Sequence, residues 1–413
     1  MRPLLEESLR AAVAAADPLQ ILAPHLPPPP KGRTFVAAAG KAAASMALAV
    51  EQHFQGEFDG IAITRYGHGL PTKKIRVIEA GHPVPDEAGE AAAREILHQV
   101  KQLKENDLLL AVLSGGGSSL LSLPAADIPM SDLKAVTQQL LRSGASIQEI
   151  NTVRKHLSAI HGGRLAAASR APVVALIISD VTGDDPTHIA SGPCAPDPTT
   201  YADAREVLAR YHVTPPPSVK ARLEKAIDET PKPGDPVFSK VENRVIATAH
   251  RSLEAAAQVF TKKNITRVIL GDTVTGEAAE VAKVMAALVR EIQTHGGPWK
   301  PPVALISGGE CTVTIQGEGG RGGRCAEFLL SLGIETNGIW AIAADTDGID
   351  GSEDNAGAVL APDSIARARR NGLNAKNLLA KHDSYGLFSA LGDLVMTGPT
   401  RTNVNDYRAI LVL

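Results

Sequence analysis

The chain has 413 residues, 44% hydrophobic and 21% charged, with a formal net charge of −3. That length calls for two cores rather than one, and a near-neutral chain has no basic excess to neutralise a nucleic-acid backbone. Aromatic residues at 3% exclude a base-stacking platform, and no uncharged apolar run is long enough to span a membrane.

The first segment, MRPLLEESLRAAVAAADP, carries Glu6 and Glu7 where a secretory signal would be apolar, so it reads as an amphipathic surface helix. The tetraproline Pro27–Pro30 reads as a stiff connector. Five apolar runs then read as strands: Thr34–Ala39, Gly60–Thr64, Ile75–Ala80, Leu108–Leu113 and Val173–Ile178. Segments with helical spacing lie between them. Lys41–His53 is alanine-rich, Glu87–Glu105 follows Asp86 as its cap, and Leu133–Leu141 follows Ser131 as its cap. Ile150, Val153, Leu157 and Ile160 recur at helical intervals. Strand alternating with helix predicts a parallel sheet covered on both faces.

Six prolines between Pro215 and Pro236 mark a connector, and the domain boundary is expected at 238/239, giving domains 1–238 and 239–413. A second strand series follows: Arg244–Ala249, Arg267–Leu270, Val303–Ile306, Thr312–Gln316, Ile339–Ala343 and Ala409–Leu413. The third and fourth are close enough for a hairpin, so the second sheet is expected to be mixed. The three cysteines, Cys194, Cys311 and Cys325, are sparse and odd in number, which fits reduced thiols in a cytoplasm.

Open parallel sheets bind ligands beyond the carboxyl ends of their strands, and the unusual residues of this chain follow strands. Gly40 and Lys41 follow the first. Ser114-Gly115-Gly116-Gly117-Ser118-Ser119 follow the fourth. Asp180, Asp184 and Asp185 follow the fifth. Ser307-Gly308-Gly309-Glu310, and then Asp345, Asp347, Asp350 and Asp354, follow strands of the second series. Glycines let an anion reach main-chain N–H donors. The two Gly-rich loops are therefore read as phosphate or carboxylate binders, with the serine hydroxyls as further donors. Lys41, at an unfavourable helix start for a cation, is read as a phosphate-binding lysine. Arg154 and Lys155, and Arg321 and Arg324, are read as further anion ligands. The acidic loops are read as Mg²⁺ sites, with Asp180, Asp184 and Asp345 as ligands.

Several chemistries are disfavoured. No lysine follows the glycines as in a P-loop, and the loop lacks the third glycine of a dinucleotide fingerprint. Counting from Asp345, the twelfth residue is Ala356, not the glutamate of a calcium loop. Scattered histidines argue against zinc, and no G-x-S-x-G elbow is present.

The stretches AAGKAAASMA, AGHPVPDEAG, LSGGGSSLL, INTVRKHLSAIHGGRLA and ISDVTGDDPTHIASGPCAPDPTT resemble the N-terminal half of class II glycerate 2-kinases. SGGECTVTIQGEGGRGGR, AADTDGIDGSEDNAGAV and TGPTRTNVNDYRAILV resemble the C-terminal MOFRL domain of that family. The resemblance implies an α/β, Rossmann-like N-terminal domain, a smaller mixed α/β MOFRL domain, and an active site in the cleft between them. It implies transfer of the ATP γ-phosphoryl group to the 2-hydroxyl of D-glycerate, Lys41 and Arg324 as the essential lysine and arginine, and, through relatives called hydroxypyruvate reductase, a link to tartrate degradation. Where the family reads Gly-Gly-Arg-Asn-Gln-Glu, this chain reads Gly322-Gly323-Arg324-Cys325-Ala326-Glu327, so two amide side chains are missing. The expected catalytic set is Lys41, Arg324 and Asp180, with ATP and Mg²⁺ as cofactors and D-glycerate as acceptor. Asp180 or Asp184 would hold Mg²⁺ or accept the hydroxyl proton, and Glu310 or Asp345 would add a second acid. No nucleic-acid or membrane partner is expected, and a homodimer is allowed. The rival readings are an NAD(P)H-dependent hydroxypyruvate reductase and a non-catalytic sensor on the same fold.

Overall fold

The computed structural model describes residues 1–315 and 319–413. The chain divides into two compact units, residues 18–246 and residues 1–17 with 247–413.

The unit 18–246 is built on β1 (Thr34–Ala39), β2 (Phe58–Arg65), β3 (Ile75–Ala80), β4 (Leu108–Leu113), β5 (Val173–Ile178) and β6 (Val241–Ala247), in the order β3-β2-β1-β4-β5-β6. β1 pairs in parallel with β2 and β4, so Ala37 sits between Ile61 and Ala111. Every residue of β1, β4 and β5 is buried, because helices cover both faces. That burial is why these strands read as unbroken apolar runs instead of alternating ones. The order turns back between β1 and β4, so the loops leaving these two strands open side by side at the sheet's carboxyl edge. One loop carries Lys41 and the other the triglycine. Asp86 caps the helix Glu87–Lys101 as expected, accepting from the Gly89 N–H at 3.0 Å. Ser131 does not act as a cap: its helix begins at Met130, and its hydroxyl turns to Asp132 instead.

The other unit holds β7 (Thr266–Gly271), β8 (Gly276–Glu277), β9 (Val303–Ser307), β10 (Cys311–Thr312), β11 (Trp340–Asp345), β12 (Gly357–Leu360), β13 (Leu394–Val395) and β14 (Asp406–Val412). Its six-stranded sheet runs β13-β12-β11-β14-β9-β7. β14 is antiparallel to β11 and β9, and β7 is parallel to β9, so the sheet is mixed. The expected hairpin between Val303–Ile306 and Thr312–Gln316 does not form. β10 pairs in parallel with β8, Cys311 opposite Gly276, and Gln316 lies outside the described residues. The expected boundary at 238/239 put the first helix in the N-terminal domain. In the structure Arg2–Ala14 buries Leu5, Leu9 and Ala12 against Leu253, Phe260 and Tyr407 of the later unit, and the Tyr407 hydroxyl donates to Ser8 Oγ at 2.8 Å. A one-turn apolar stripe shows that a helix is packed but not on what. No helix among the described residues is long and apolar enough to cross a membrane.

Candidate active site

In the unit 18–246, Gly40 and Lys41 leave β1 and the helix Ala43–His53 follows. Its first turn has no acidic residue and no capping bond from its own N-cap side chain, so the positive dipole end has no charge of its own helix to offset it. The two neighbouring loops are stitched together by main chain. The Lys41 N–H donates to the Gly115 carbonyl at 2.8 Å, and the Ala42 N–H to Ser114 Oγ at 3.0 Å. A Cβ on Gly40 would strike Ser114 Oγ at 2.2 Å, so the approach itself requires glycine there. Gly116 has φ +79, and a Cβ on it would meet His82 Nε2 at 2.9 Å and Lys41 Cγ at 3.3 Å. The Lys41 stem therefore lies along the triglycine bend, with the His82 imidazole beside it.

The serines serve differently from expectation. Ser114 is fully buried as the brace to Ala42, Ser119 donates to the Gly116 carbonyl at 3.1 Å, and Ser118 pairs with Ser191 Oγ at 2.8 Å. What the loop leaves open is main chain. Among the described residues no acceptor meets the N–H groups of Gly115, Gly116 or Ser118. Unpaired amides gathered in one turn in this way can receive an anion. Ser191 and Ala190 both hold left-handed backbone, at φ 58 and 51, and bring Ser191 to Asn151 Oδ1 at 3.1 Å.

Asp180 follows β5 and is partly buried, while Asp184 sits on a turn at φ 54. Lys155 is corrected: its ammonium is fully buried against Asp197 Oδ1 at 3.2 Å, an internal ion pair rather than a ligand group. Arg154, one residue earlier, lines a separate pocket with Ser118, Ser119 and His161. His161 is 3% exposed, and burial, with Arg154 and Lys155 nearby, pushes its pKa down to about 3. An imidazole held neutral this way stabilises the fold fully above its unfolded value near 6.5, and that stabilisation is lost as pH falls toward 3. His161→Gln should remove about 2 kcal/mol of the stability change between pH 6.5 and 4.5. Urea melts of both proteins across that range check it, and parallel pH profiles would refute it.

In the other unit the Ser307–Glu310 loop is also glycine-dependent, for packing. A Cβ on Gly309, which has φ +97, would lie 2.2 Å from the Val274 carbonyl oxygen. Gly308 accepts from Arg408 at 2.8 Å and donates its N–H to the Gly271 carbonyl at 2.8 Å. Arg324 opens the helix Arg324–Glu335. Its Nε donates to Asp406 Oδ1 at 2.8 Å, its NH2 donates to Asp345 Oδ2 at 2.6 Å, and Glu310 Oε1 lies 3.3 Å from the same NH2. NH1 keeps both protons free of protein partners among the described residues. Asp406, 1% exposed, is itself shared with Arg408, 2.8 Å from NH2. The remaining acids serve the backbone or pair locally. Asp347 accepts from Ile349, and Asp350 accepts from Cys325 and Ala326 at the same helix start. Asp350's pKa is raised to about 6 by desolvation. Asp354 accepts from Tyr385. Arg321 pairs with Glu353 at 2.6 Å on the surface. Cys325 and Ala326 are fully buried in the core beside Phe328 and Leu329. Among the described residues no three His, Cys, Asp or Glu side chains converge to hold a metal ion.

Sequence reasoning passed over His82, Asn151, Ser191, Asp406 and Arg408. Asp406-Tyr407-Arg408 did carry a signal, two charges opening a strand otherwise apolar.

Comparison with known proteins also divides the chain in two, although the first match takes in the opening helix that the structure packs on the later unit. Residues 4–224 match a domain family of unknown function, DUF4147, and residues 303–406 match the MOFRL family. The chain is 50% identical to a putative hydroxypyruvate reductase of Agrobacterium vitis, over 100% of this chain and 94% of that one. It is 43% identical to a glycerate 2-kinase of Pyrococcus horikoshii, over 91% and 86%. The crystal structure of a glycerate kinase from Thermotoga maritima superposes with a TM-score of 0.88 at 38% identity, covering 100% and 99%.

Proposed function

The chain belongs to the class II glycerate kinase family, and from that premise we propose that it transfers the γ-phosphoryl group of ATP to the 2-hydroxyl of D-glycerate, giving 2-phosphoglycerate. The observation that carries the reading is the crevice where β1 and β4 end. It presents three unpaired main-chain amides, an uncapped helix start and the Lys41 stem together. Those are the parts a polyphosphate needs, since phosphoryl transfer asks a protein mostly for positioning and for neutralising charge. They do not form a dinucleotide fingerprint, which weighs against hydride transfer.

The amides of Gly115, Gly116 and Ser118 hold phosphate oxygens, and the Lys41 ammonium stabilises charge on the transferring group. Arg324, fixed by Asp406 and Asp345, offers its free NH1 edge to an anion. Asp180 accepts the proton of the attacking hydroxyl or contacts Mg²⁺. The described carboxylates form no ready cage, so magnesium would rest chiefly on nucleotide phosphate and water, with Asp180, Asp184 or Asp345 as the protein contact. Its chemistry there is to neutralise phosphate charge. A cytoplasmic location, a homodimer and a place in tartrate degradation belong to the same proposal.

Incubation with ATP, Mg²⁺ and D-glycerate, read by phosphorus NMR, should give 2-phosphoglycerate and ADP. Formation of 3-phosphoglycerate would overturn the regiochemistry. Oxidation of NADH by hydroxypyruvate without coupling enzymes would restore the reductase reading.

A further inference from the structure

One pocket of the unit 18–246 keeps two polar groups that the fold leaves without adequate partners. It opens beyond the triglycine loop, with Ser118 on its wall and Pro83, Val84 and Leu133 as apolar sides. Arg154 and His161 line it as well. The Arg154 guanidinium reaches Asn151 Oδ1 at 3.4 Å, and no carboxylate lies within ion-pair distance of it among the described residues. Burial lowers its pKa only to about 10, so it stays charged at neutral pH. His161 is buried and neutral. One ring nitrogen is bonded to the Leu121 backbone, while Nε2 meets nothing. With the proton on the bonded nitrogen, Nε2 is a bare acceptor. No acidic side chain lines the pocket.

A desolvated guanidinium without a counter-ion is unfavourable until an anion arrives, and a carboxylate answers it with two parallel hydrogen bonds. A bare imidazole nitrogen is answered by a hydroxyl. A nucleotide base would bring no negative charge to Arg154, so the ligand class that satisfies both groups is a small hydroxycarboxylate.

We propose that this pocket seats the acceptor substrate, its carboxylate on the Arg154 guanidinium and its hydroxyls toward the side lined by His161. The inference rests on the glycerate kinase reading and names where its acceptor binds. The apolar walls keep water from competing for both bonds.

The test is steady-state kinetics of the full chain with D-glycerate and ATP varied separately, for the wild type, Arg154→Gln and Arg154→Lys. Loss of one bidentate charged contact should raise KM for glycerate about 100-fold in Arg154→Gln and less in Arg154→Lys. KM for ATP should stay within about twofold. Glyceramide, the neutral analogue, should discriminate the wild type from Arg154→Gln far less than glycerate does. A rise in KM for ATP instead would assign the pocket to the nucleotide. Unchanged KM for both substrates would remove it from the site. Titration of D-glycerate into each protein by calorimetry, without nucleotide, separates the two claims. A wild type that binds glycerate through Arg154 but makes no phosphoglycerate sinks the kinase reading and leaves the pocket standing. Wild-type turnover with glycerate binding indifferent to Arg154 does the reverse. Should Arg154→Gln melt early, Arg154→Lys alone carries the comparison.

Discussion

Lys41→Ala should lower kcat by about 10²–10³, the cost of removing one charge partner of a transition state, roughly 3–4 kcal/mol. The thermal midpoint should not move. Its main chain makes two bonds, from the Lys41 N–H to the Gly115 carbonyl and from Thr64 Oγ1 to the Lys41 carbonyl, and alanine keeps both. Only the stem and ammonium are removed, and the stem lies beside Gly116. Because the charge is wanted where it builds up on the transferring group, the loss should fall on kcat more than on KM for glycerate. Coupled ADP release checks it, with circular dichroism confirming the fold. Turnover within a few-fold of wild type would take Lys41 off the catalytic list.

Asp406→Ala should act on stability first. Asp406 is almost entirely enclosed and holds two guanidinium groups, Arg324 Nε and Arg408 NH2, each at 2.8 Å. Arg408 is 1% exposed, packed over the Phe328 ring at 5.5 Å. Without the carboxylate its charge is buried unpaired, which typically costs about 3–5 kcal/mol. The unfolding midpoint should drop by about 10 °C, and activity should fall with it as Arg324 loses the group that aims it. Asp406→Asn combined with Arg408→Met removes both charges, so the thermal midpoint should recover most of the loss while activity stays low. Scanning calorimetry and kcat measured on the same samples distinguish the two effects. An Asp406→Ala protein melting within about 2 °C of wild type would show that this buried network does not hold the unit together.

Much of the architecture was legible because it is written in local spacing. β1, β4 and β5 coincide with apolar runs, since a strand buried on both faces needs an unbroken run, and the partly exposed β3 matches its run as well. The triglycine crevice was legible for a similar reason: a Cβ on Gly117 would lie 2.5 Å from the Ala190 Cβ, so the turn permits no side chain there. Partners distant in sequence were not legible. Lys155 looked like a ligand because Asp197, which claims it, lies 42 residues on. Arg324 gave no hint of Asp406, 82 residues on. The short strand at Cys311 was assigned to its sequence neighbour, but the fold pairs it with Gly276–Glu277.

Amino-acid order alone therefore settled where the backbone would turn and which turns had to stay bare, because steric exclusion and hydrophobic periodicity act over a few residues. Which charges are spent inside the protein and which are left for a ligand was decided only when the sheets brought distant segments into contact. An ion pair depends on separation through space, and separation along the chain says little about it.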